Sequence, residues 1–219
     1  ALPLAQGVKM ANKDLTVIAS GGDGDGYAIG MGHTIHALRR NMNMTYIVMD
    51  NQIYGLTKGQ TSPSSAVGFV TKTTPKGNIE KNVAPLELAL SSGATFVAQG
   101  FSSDIKGLTK LIEDAINHDG FSFVNVFSPC VTYNKINTYD WFKEHLTSVD
   151  DIENYDSTDK QLATRTVIEH ESLVTGIVYQ DKETPSYESQ IKELDDTPLA
   201  KRDIKITEDP FNALTEQFI

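Results

Sequence analysis

Residues 20–26 read Ser-Gly-Gly-Asp-Gly-Asp-Gly, a glycine-rich turn that holds two aspartates and no Lys or Arg. Such turns usually open a helix and cradle phosphate on backbone N–H groups. A bare carboxylate in the same turn repels that phosphate, and screening is weak once water is excluded. Familiar glycine patterns do not fit. A phosphate loop requires a Lys after its glycines, and none follows here. The dinucleotide pattern GxGxxG fails because Gly22 and Gly24 would need a glycine at Tyr27, and Gly24 and Gly26 one at Ile29. A calcium loop starting at Asp23 and Asp25 would need a third ligand at Tyr27.

A divalent cation removes the conflict between carboxylate and phosphate. Mg²⁺ takes oxygen ligands in an octahedron at about 2.0–2.1 Å and is commonly shared between one or two protein carboxylates and phosphate oxygens. Asp23 then attracts a diphosphate through the metal. A second oxygen ligand stands at Asn51, 28 residues after Asp23 (51 minus 23), which is enough chain for a turn, a helix and a returning strand. Asp50, just before it, also fits the position of a ribose-binding acid. Beyond it, Ile53–Ser65 (IYGLTKGQTSPSS) is a polar loop in which Gly55, Thr57 and Gly59 allow a ligand to come close.

The elements that must position these residues alternate. Short apolar runs at Leu15–Ala19, Thr45–Asp50, Thr95–Gln99 and Phe121–Phe127 read as strands. Helical stretches at Ala28–Arg40, Pro85–Ser92 and Asp104–Asn117 separate them, and Leu4, Val8 and Ala11 give helical spacing at the start. This order predicts an α/β fold, a mostly parallel sheet with helices on both faces, whose ligands bind beyond the carboxyl ends of the strands. Three loops emerge there: the glycine turn, the segment from Asp50, and Ser128–Asn134 (SPCVTYN). The expected division is a cofactor-binding domain over 1–148 and a C-terminal extension over 149–219. The extension is acidic and partly irregular, with a helical Gln161–His170 and a strand-like Leu173–Gln180, and is expected to contact a partner. Residues 181–203 are expected to lie extended over that partner or in solvent.

Composition narrows the classes. At 219 residues, with 39% hydrophobic and 22% charged, the chain is long enough for a sizeable core. A net charge of −10 argues against a nucleic-acid surface. No apolar run reaches the roughly 18–20 residues of a membrane helix and no secretory leader opens the chain. The expected location is cytoplasmic. A start inside a helix without Met reads as a truncated or processed chain. The lone Cys130 excludes an internal disulfide, and on its own reads as a small apolar filler. His33 and His36 share a helix face, but with no acidic partner there they read as packing or interface residues, and Trp141 and Phe142 as core or partner anchors.

GDG followed by an Asn-containing turn resembles the thiamine diphosphate motif of transketolase-like and decarboxylase-like enzymes. The longer string GDGDGYAIGMGHTIHALRRNMNMTYIVMDNQIYGLTKGQTSPSS, with the later SPC, resembles the β subunit of 2-oxoacid:ferredoxin oxidoreductases, most closely the 2-oxoglutarate or broad-specificity branch. The likeness covers at least Ala1–Asn134. It implies oxidative decarboxylation of a 2-oxo acid on thiamine diphosphate, with coenzyme A taking the acyl group and electrons passing to ferredoxin, in a complex with an α (or fused α/γ) subunit that supplies the activating carboxylate. It implies Mg²⁺ on Asp23, the side-chain oxygen of Asn51 and the carbonyl of Ile53. Gly22, Gly24 and Asp25 would lie on the diphosphate, and Tyr54, Gly55, Leu56 and Thr57 beside the cofactor. Leu56 and Lys58 are the candidate catalytic residues, Lys58 as an attraction for the substrate carboxylate, against the plain reading of a solvated lysine. Cys130 matches the fourth ligand of a 4Fe-4S cluster whose other three cysteines lie outside this chain. Here the family's usual Asn-Asn reads Asp50-Asn51. The competing readings are a non-redox thiamine diphosphate decarboxylase or acetolactate synthase, and a binding module without cofactor or catalysis.

Overall fold

The computed structural model describes residues 1–195, 197–203, 205 and 208–218, with 208–210 as backbone only, so the far end of the expected 149–219 extension lies partly outside the described residues. Helix α1 (Leu2–Ala11) leads into β1 (Ile18–Gly22), a π-helical turn (Asp25–Ile29) and α2 (Met31–Arg40). The chain returns as β2 (Met44–Asp50). It then runs through 51–84, where an isolated Tyr54–Gln60 bridge is the one strand pairing described. Next come α3 (Pro85–Ser91), β3 (Phe96–Phe101), α4 (Ile105–Asn117), β4 (Phe121–Phe127), α5 (Tyr139–His145), β5 (Thr147–Ser148), α6 (Lys160–Glu169), β6 (Val174–Gln180) and α7 (Glu208–Thr215). The sheet order is β1-β2-β4-β3-β6-β5. β1, β2, β4 and β3 are parallel and β6 runs antiparallel to β3. No helix among the described residues is long and apolar enough to cross a membrane.

Burial explains the layers. Every residue of β3 and β4 is buried, as expected of central strands covered on both faces. One face packs Leu2, Leu38, Leu86, Leu90 and Val167, from α1, α2, α3 and α6, onto Tyr46, Val48, Val97, Phe121 and Phe123. The other sets Leu111 and Ala115 of α4 on Phe96, Ala98, Val124 and Val126. Each large side chain buried this way contributes about 1.5–3 kcal/mol.

The predicted elements occur, with one informative shift. β1 runs Ile18–Gly22 rather than Leu15–Ala19: Gly21 and Gly22 stay extended and pair with Val48 and Met49. The exposed Leu15 gives its carbonyl to Lys9 Nζ at 2.9 Å. The strand thus ends in the glycines themselves, which brings Asp23 to the edge of the sheet. α5 was not visible in the sequence; Phe142 within it is buried against Phe101 and Phe127.

The segment after 148 is not held apart from the core. α6 packs Ala163 and Val167 into the main cluster and β6 extends the sheet, with Val174 and Val178 fully buried. Residues 181–195, expected over a partner or in solvent, fold back across the amino ends of the strands. Asn41, left-handed at φ 52°, donates through Nδ2 to the carbonyls of Thr184 and Pro185 at 3.4 and 3.1 Å. Its Oδ1 accepts from Thr95 Oγ1 at 2.6 Å and Phe121 N at 2.8 Å. Glu188 accepts from Asn43 N and faces Lys9 at 3.8 Å in a buried ion pair. Sequence could not show this, because the polar segment reads as solvated until its partners are known.

Asn41→Ala strands a buried N–H and two carbonyls, so it is expected to lower unfolding free energy by about 3 kcal/mol, read from urea titration. A loss below about 1 kcal/mol would show that water replaces the Asn41 contacts.

Candidate functional site

The carboxyl ends of β1, β2 and β4 meet in one crevice. Asp23 follows β1 directly and is 3% exposed; Asp50 ends β2 and is 2% exposed. One hydroxyl joins them, since Ser64 Oγ lies 2.6 Å from Asp23 Oδ2 and 2.7 Å from Asp50 Oδ1, and is itself buried. A serine hydroxyl has a single hydrogen and can donate to one of them at a time. No Lys, Arg or His among the described residues pairs with either aspartate. Burial first, and the charge of Asp23 second, push the Asp50 carboxyl up from 3.8 to about 7, against the hydrogen bonds from Ser64, Gln52 and Asn125 that pull it down.

The turn after β2 is tight. Gln52 is left-handed at φ 58° and donates its N–H to Asp50 Oδ1 at 3.1 Å, while Asn51 Oδ1 accepts from Ile53 N at 3.0 Å. Ser65 Oγ ties the far end of the loop back to the carbonyl of Gln52 at 2.6 Å. Between them the chain makes a short hairpin, Tyr54 N donating to the carbonyl of Gln60 and Gly59 N to that of Tyr54, both at 2.9 Å. Tyr54 reaches back to the glycine turn: a Cβ on Gly24 would fall 2.1 Å from its ring, so only glycine permits this approach. The Tyr54 hydroxyl stands 3.5 Å from the carbonyl of Gly24.

A buried polar ladder supports the crevice from below. Tyr27, in the π-helical turn, donates to Asn125 Oδ1 at 2.7 Å; Asn125 Nδ2 donates to Gln99 Oε1 at 2.8 Å. Gln99 Nε2 donates to the carbonyls of Ser172 and Val174, each at 2.7 Å. The ladder runs across β4 and β3 to β6. Burial, then the charge of Asp50, holds the Tyr27 phenol well above its usual range.

The residues singled out from sequence are partly brought together. Gly24 meets Tyr54 and Asp23 is joined through Ser64 to Asp50, while Asn51 and Ile53 lie in the turn between Asp50 and Tyr54; Gly22 ends the strand beneath them, and Gly55 lies against Cys130, whose Sγ is 3.6 Å from where a Gly55 Cβ would stand. Asp25 does not join them. It is exposed, and its carboxylate turns over Gly21, leaving 2.5 Å for a Cβ there. Leu56, Thr57 and Lys58 form the exposed hairpin tip, with Leu56 99% exposed and Lys58 left-handed at φ 76° and in no described ion pair. His33 and His36 are both exposed on α2. Sequence reasoning missed Ser64 and the ladder. Ser64 lies 41 positions from Asp23, and no local pattern signals so distant a bond.

The donor set fits a hard divalent cation: two buried carboxylates, one available hydrogen and no protein cation leave negative charge uncompensated in a dry crevice. A 4Fe-4S cluster is different. It needs four thiolates, and Cys130 is the sole cysteine of these 219 residues, half-buried and free. No group of three or more His, Cys, Asp or Glu side chains suited to a metal occurs among the described residues.

Comparison with known proteins gives this crevice its class. Residues 1–126 match the family model of the thiamine pyrophosphate enzyme C-terminal TPP-binding domain, and residues 130–196 that of the C-terminal part of the pyruvate ferredoxin oxidoreductase β chain. A 2-oxoacid:ferredoxin oxidoreductase subunit beta from a Sulfolobus species is 40% identical over 225 residues, which cover 94% of this chain and 74% of that protein. The 2-oxoglutarate oxidoreductase subunit KorB of Mycobacterium tuberculosis is 47% identical over 131 residues, 60% of this chain and 35% of that one. A solved 2-oxoglutarate:ferredoxin oxidoreductase from Magnetococcus marinus, with 2-oxoglutarate, coenzyme A and succinyl-CoA bound, superposes with a TM-score of 0.87 at 38% identity, covering 98% of this chain and 72% of that one. The fold and the crevice are therefore those of a thiamine diphosphate-binding enzyme domain. The chain belongs to the β subunits of the 2-oxoacid:ferredoxin oxidoreductases, which favours the redox reading over a non-redox decarboxylase or a cofactor-free module.

Without a cation, the raised Asp50 carboxyl opposes folding increasingly as pH climbs, because the unfolded chain ionises near 3.8 and the folded one only near about 7. The sign is that of a group whose favourable protonation is complete at low pH and lost on the way up. Asp50→Asn removes the penalty, so in chelator its urea midpoint should exceed that of the wild type at about pH 8 by more than at about pH 4. An equal difference at both pH values would overturn the assignment.

Proposed function

We propose that this subunit serves the coenzyme A-dependent oxidative decarboxylation of a 2-oxo acid, 2-oxoglutarate first, within a complex with an α-type partner that passes electrons to ferredoxin. The names and bound ligands of the relatives support the substrate, the acceptor and coenzyme A. The observation that carries the reading is the pair of buried, cation-free carboxylates at the glycine turn. Asp23, Asn51 and the Ile53 carbonyl are the proposed holders of Mg²⁺, with Gly22 and Gly24 leaving backbone room for a diphosphate at the start of the π-helical turn and α2. Thiamine diphosphate, when bound, supplies the carbon nucleophile and the electron sink for decarboxylation.

The chain's own residues have distinct tasks in this reading. Asp23 offsets the metal's charge and, through it, draws in the diphosphate. Tyr54 closes the turn over Gly24 and shields it from water, which strengthens the electrostatics beneath. Leu56 and Lys58, carried on the hairpin tip, face outward, where Lys58 can attract a substrate carboxylate. Cys130, against Gly55 at the base of that hairpin, is proposed as one thiolate of a 4Fe-4S cluster whose other ligands come from outside these 219 residues. The exposed Leu199, Phe211, Leu214 and Phe218 support partner contact by the end of the chain.

The deciding assay uses the assembled enzyme with a viologen dye. Reduction should require a 2-oxo acid and coenzyme A, fastest with 2-oxoglutarate; decarboxylation without dye reduction would instead favour a non-redox enzyme. Cys130→Ser should lower the iron content of the complex and its visible absorbance. Unchanged iron would return Cys130 to the role of a small core residue.

A further inference from the structure

Ser64 falls outside the residues that the proposed metal and cofactor contacts account for, and its surroundings are unusual. Its side chain is buried, 4% exposed, in a loop that is otherwise largely polar, and it stands between two carboxylates that arrive from different strands. The base of that loop is tied down beside it. Ser65 Oγ donates to the carbonyl of Gln52 and accepts from Ser62 N at 2.9 Å, and Asn78 Nδ2 holds the Ser65 carbonyl at 3.2 Å. The hydroxyl hydrogen of Ser64 is thus the one donor from this loop to Asp23 among the described bonds.

We infer that Ser64 is a positioning residue for the cation site: its hydroxyl fixes the Asp23 carboxylate and joins it to the Ser62–Ser65 turn that directly follows the Tyr54–Gln60 hairpin, so that cation binding and ordering of the hairpin are one event. The physical grounds are three. A carboxylate free to rotate pays orientational entropy on binding a metal, and a short hydrogen bond to one oxygen removes that cost while leaving the other oxygen free. Ser64 Oγ also separates Asp23 from Asp50, where two bare carboxylates in contact would repel strongly. Finally, the same hydroxyl oxygen lies 2.7 Å from Asp50 Oδ1, so the turn that carries it sits against the ends of both strands. Outer-shell partners of this kind typically change metal affinity about 10–100-fold.

This inference rests on Asp23 as the metal ligand, and the experiment separates the two. In the assembled enzyme, Mg²⁺ affinity in the presence of thiamine diphosphate is measured by calorimetry, and hydrogen exchange of residues 54–60 is followed with and without both. Asp23→Ala should abolish Mg²⁺ binding; if it does not, the metal assignment falls. Ser64→Val and Ser64→Thr have the same shape and differ in the hydroxyl. Ser64→Val should weaken Mg²⁺ binding about 10–100-fold and uncouple hairpin protection from the cation, and Ser64→Thr should retain both within about threefold. If Asp23→Ala abolishes binding while Ser64→Val stays within about threefold of the wild type, Ser64 has no positioning role. If Ser64→Thr is as weak as Ser64→Val, shape rather than the hydroxyl governs the site, and the inference is overturned. Ser64→Ala repeats the comparison without added volume, and full-strength binding there overturns it equally.

Discussion

Everything at the carboxyl end of this sheet is arranged around negative charge that the protein does not itself neutralise. Asp23 and Asp50 come from neighbouring parallel strands, are sealed from water, and share one hydrogen from Ser64. A dry pair of carboxylates costs free energy, and the fold tolerates that cost because four parallel strands and their helices over-determine the backbone on which the pair sits. The same deficit is what supports the proposed cation site: a divalent metal would offset that charge, and a diphosphate would be drawn in through the metal.

The strand order is what makes the meeting possible. β1 and β2 are adjacent and in parallel register to their last residues, Gly22 opposite Met49, so the turn after each must emerge beside the other. Glycine at 24 then lets the Tyr54 ring close from the side. At the opposite end of the sheet, residues 181–195 cross the amino ends of the strands and pin Asn41, Asn43 and Lys9. One end of the molecule is locked by its own backbone while the other keeps its polar groups for a ligand.

Much of this was legible in the sequence. Alternating strands and helices led to the parallel sheet, which the structure shows, and the failed phosphate patterns with the distance from Asp23 to Asn51 led to the two loops from which the cation site is proposed. Asp25 illustrates the limit, because its type and spacing qualify it as well as Asp23, yet it turns outward over the space that the missing Cβ of Gly21 leaves. Ser64, Gln99 and Asn125 were opaque for a related reason. Their types are ordinary, and their roles arise from contacts with residues tens of positions away that exist only once the strands are ordered. The 181–195 segment misled because polar composition reports what a segment can leave in water, not what it can bond to.

The ladder beneath the crevice has a polarity. Gln99 gives both amide hydrogens to the carbonyls of Ser172 and Val174, which can only accept, so its oxygen must receive from Asn125, and the oxygen of Asn125 must in turn receive from Tyr27. No rung can reverse without orphaning a backbone carbonyl at β6. The Tyr27 hydrogen is therefore committed to Asn125 and to neither aspartate. A row of polar groups that resembles a proton wire is the opposite: a one-way file of dipoles, written across the strands, that delivers no proton to the floor of the crevice.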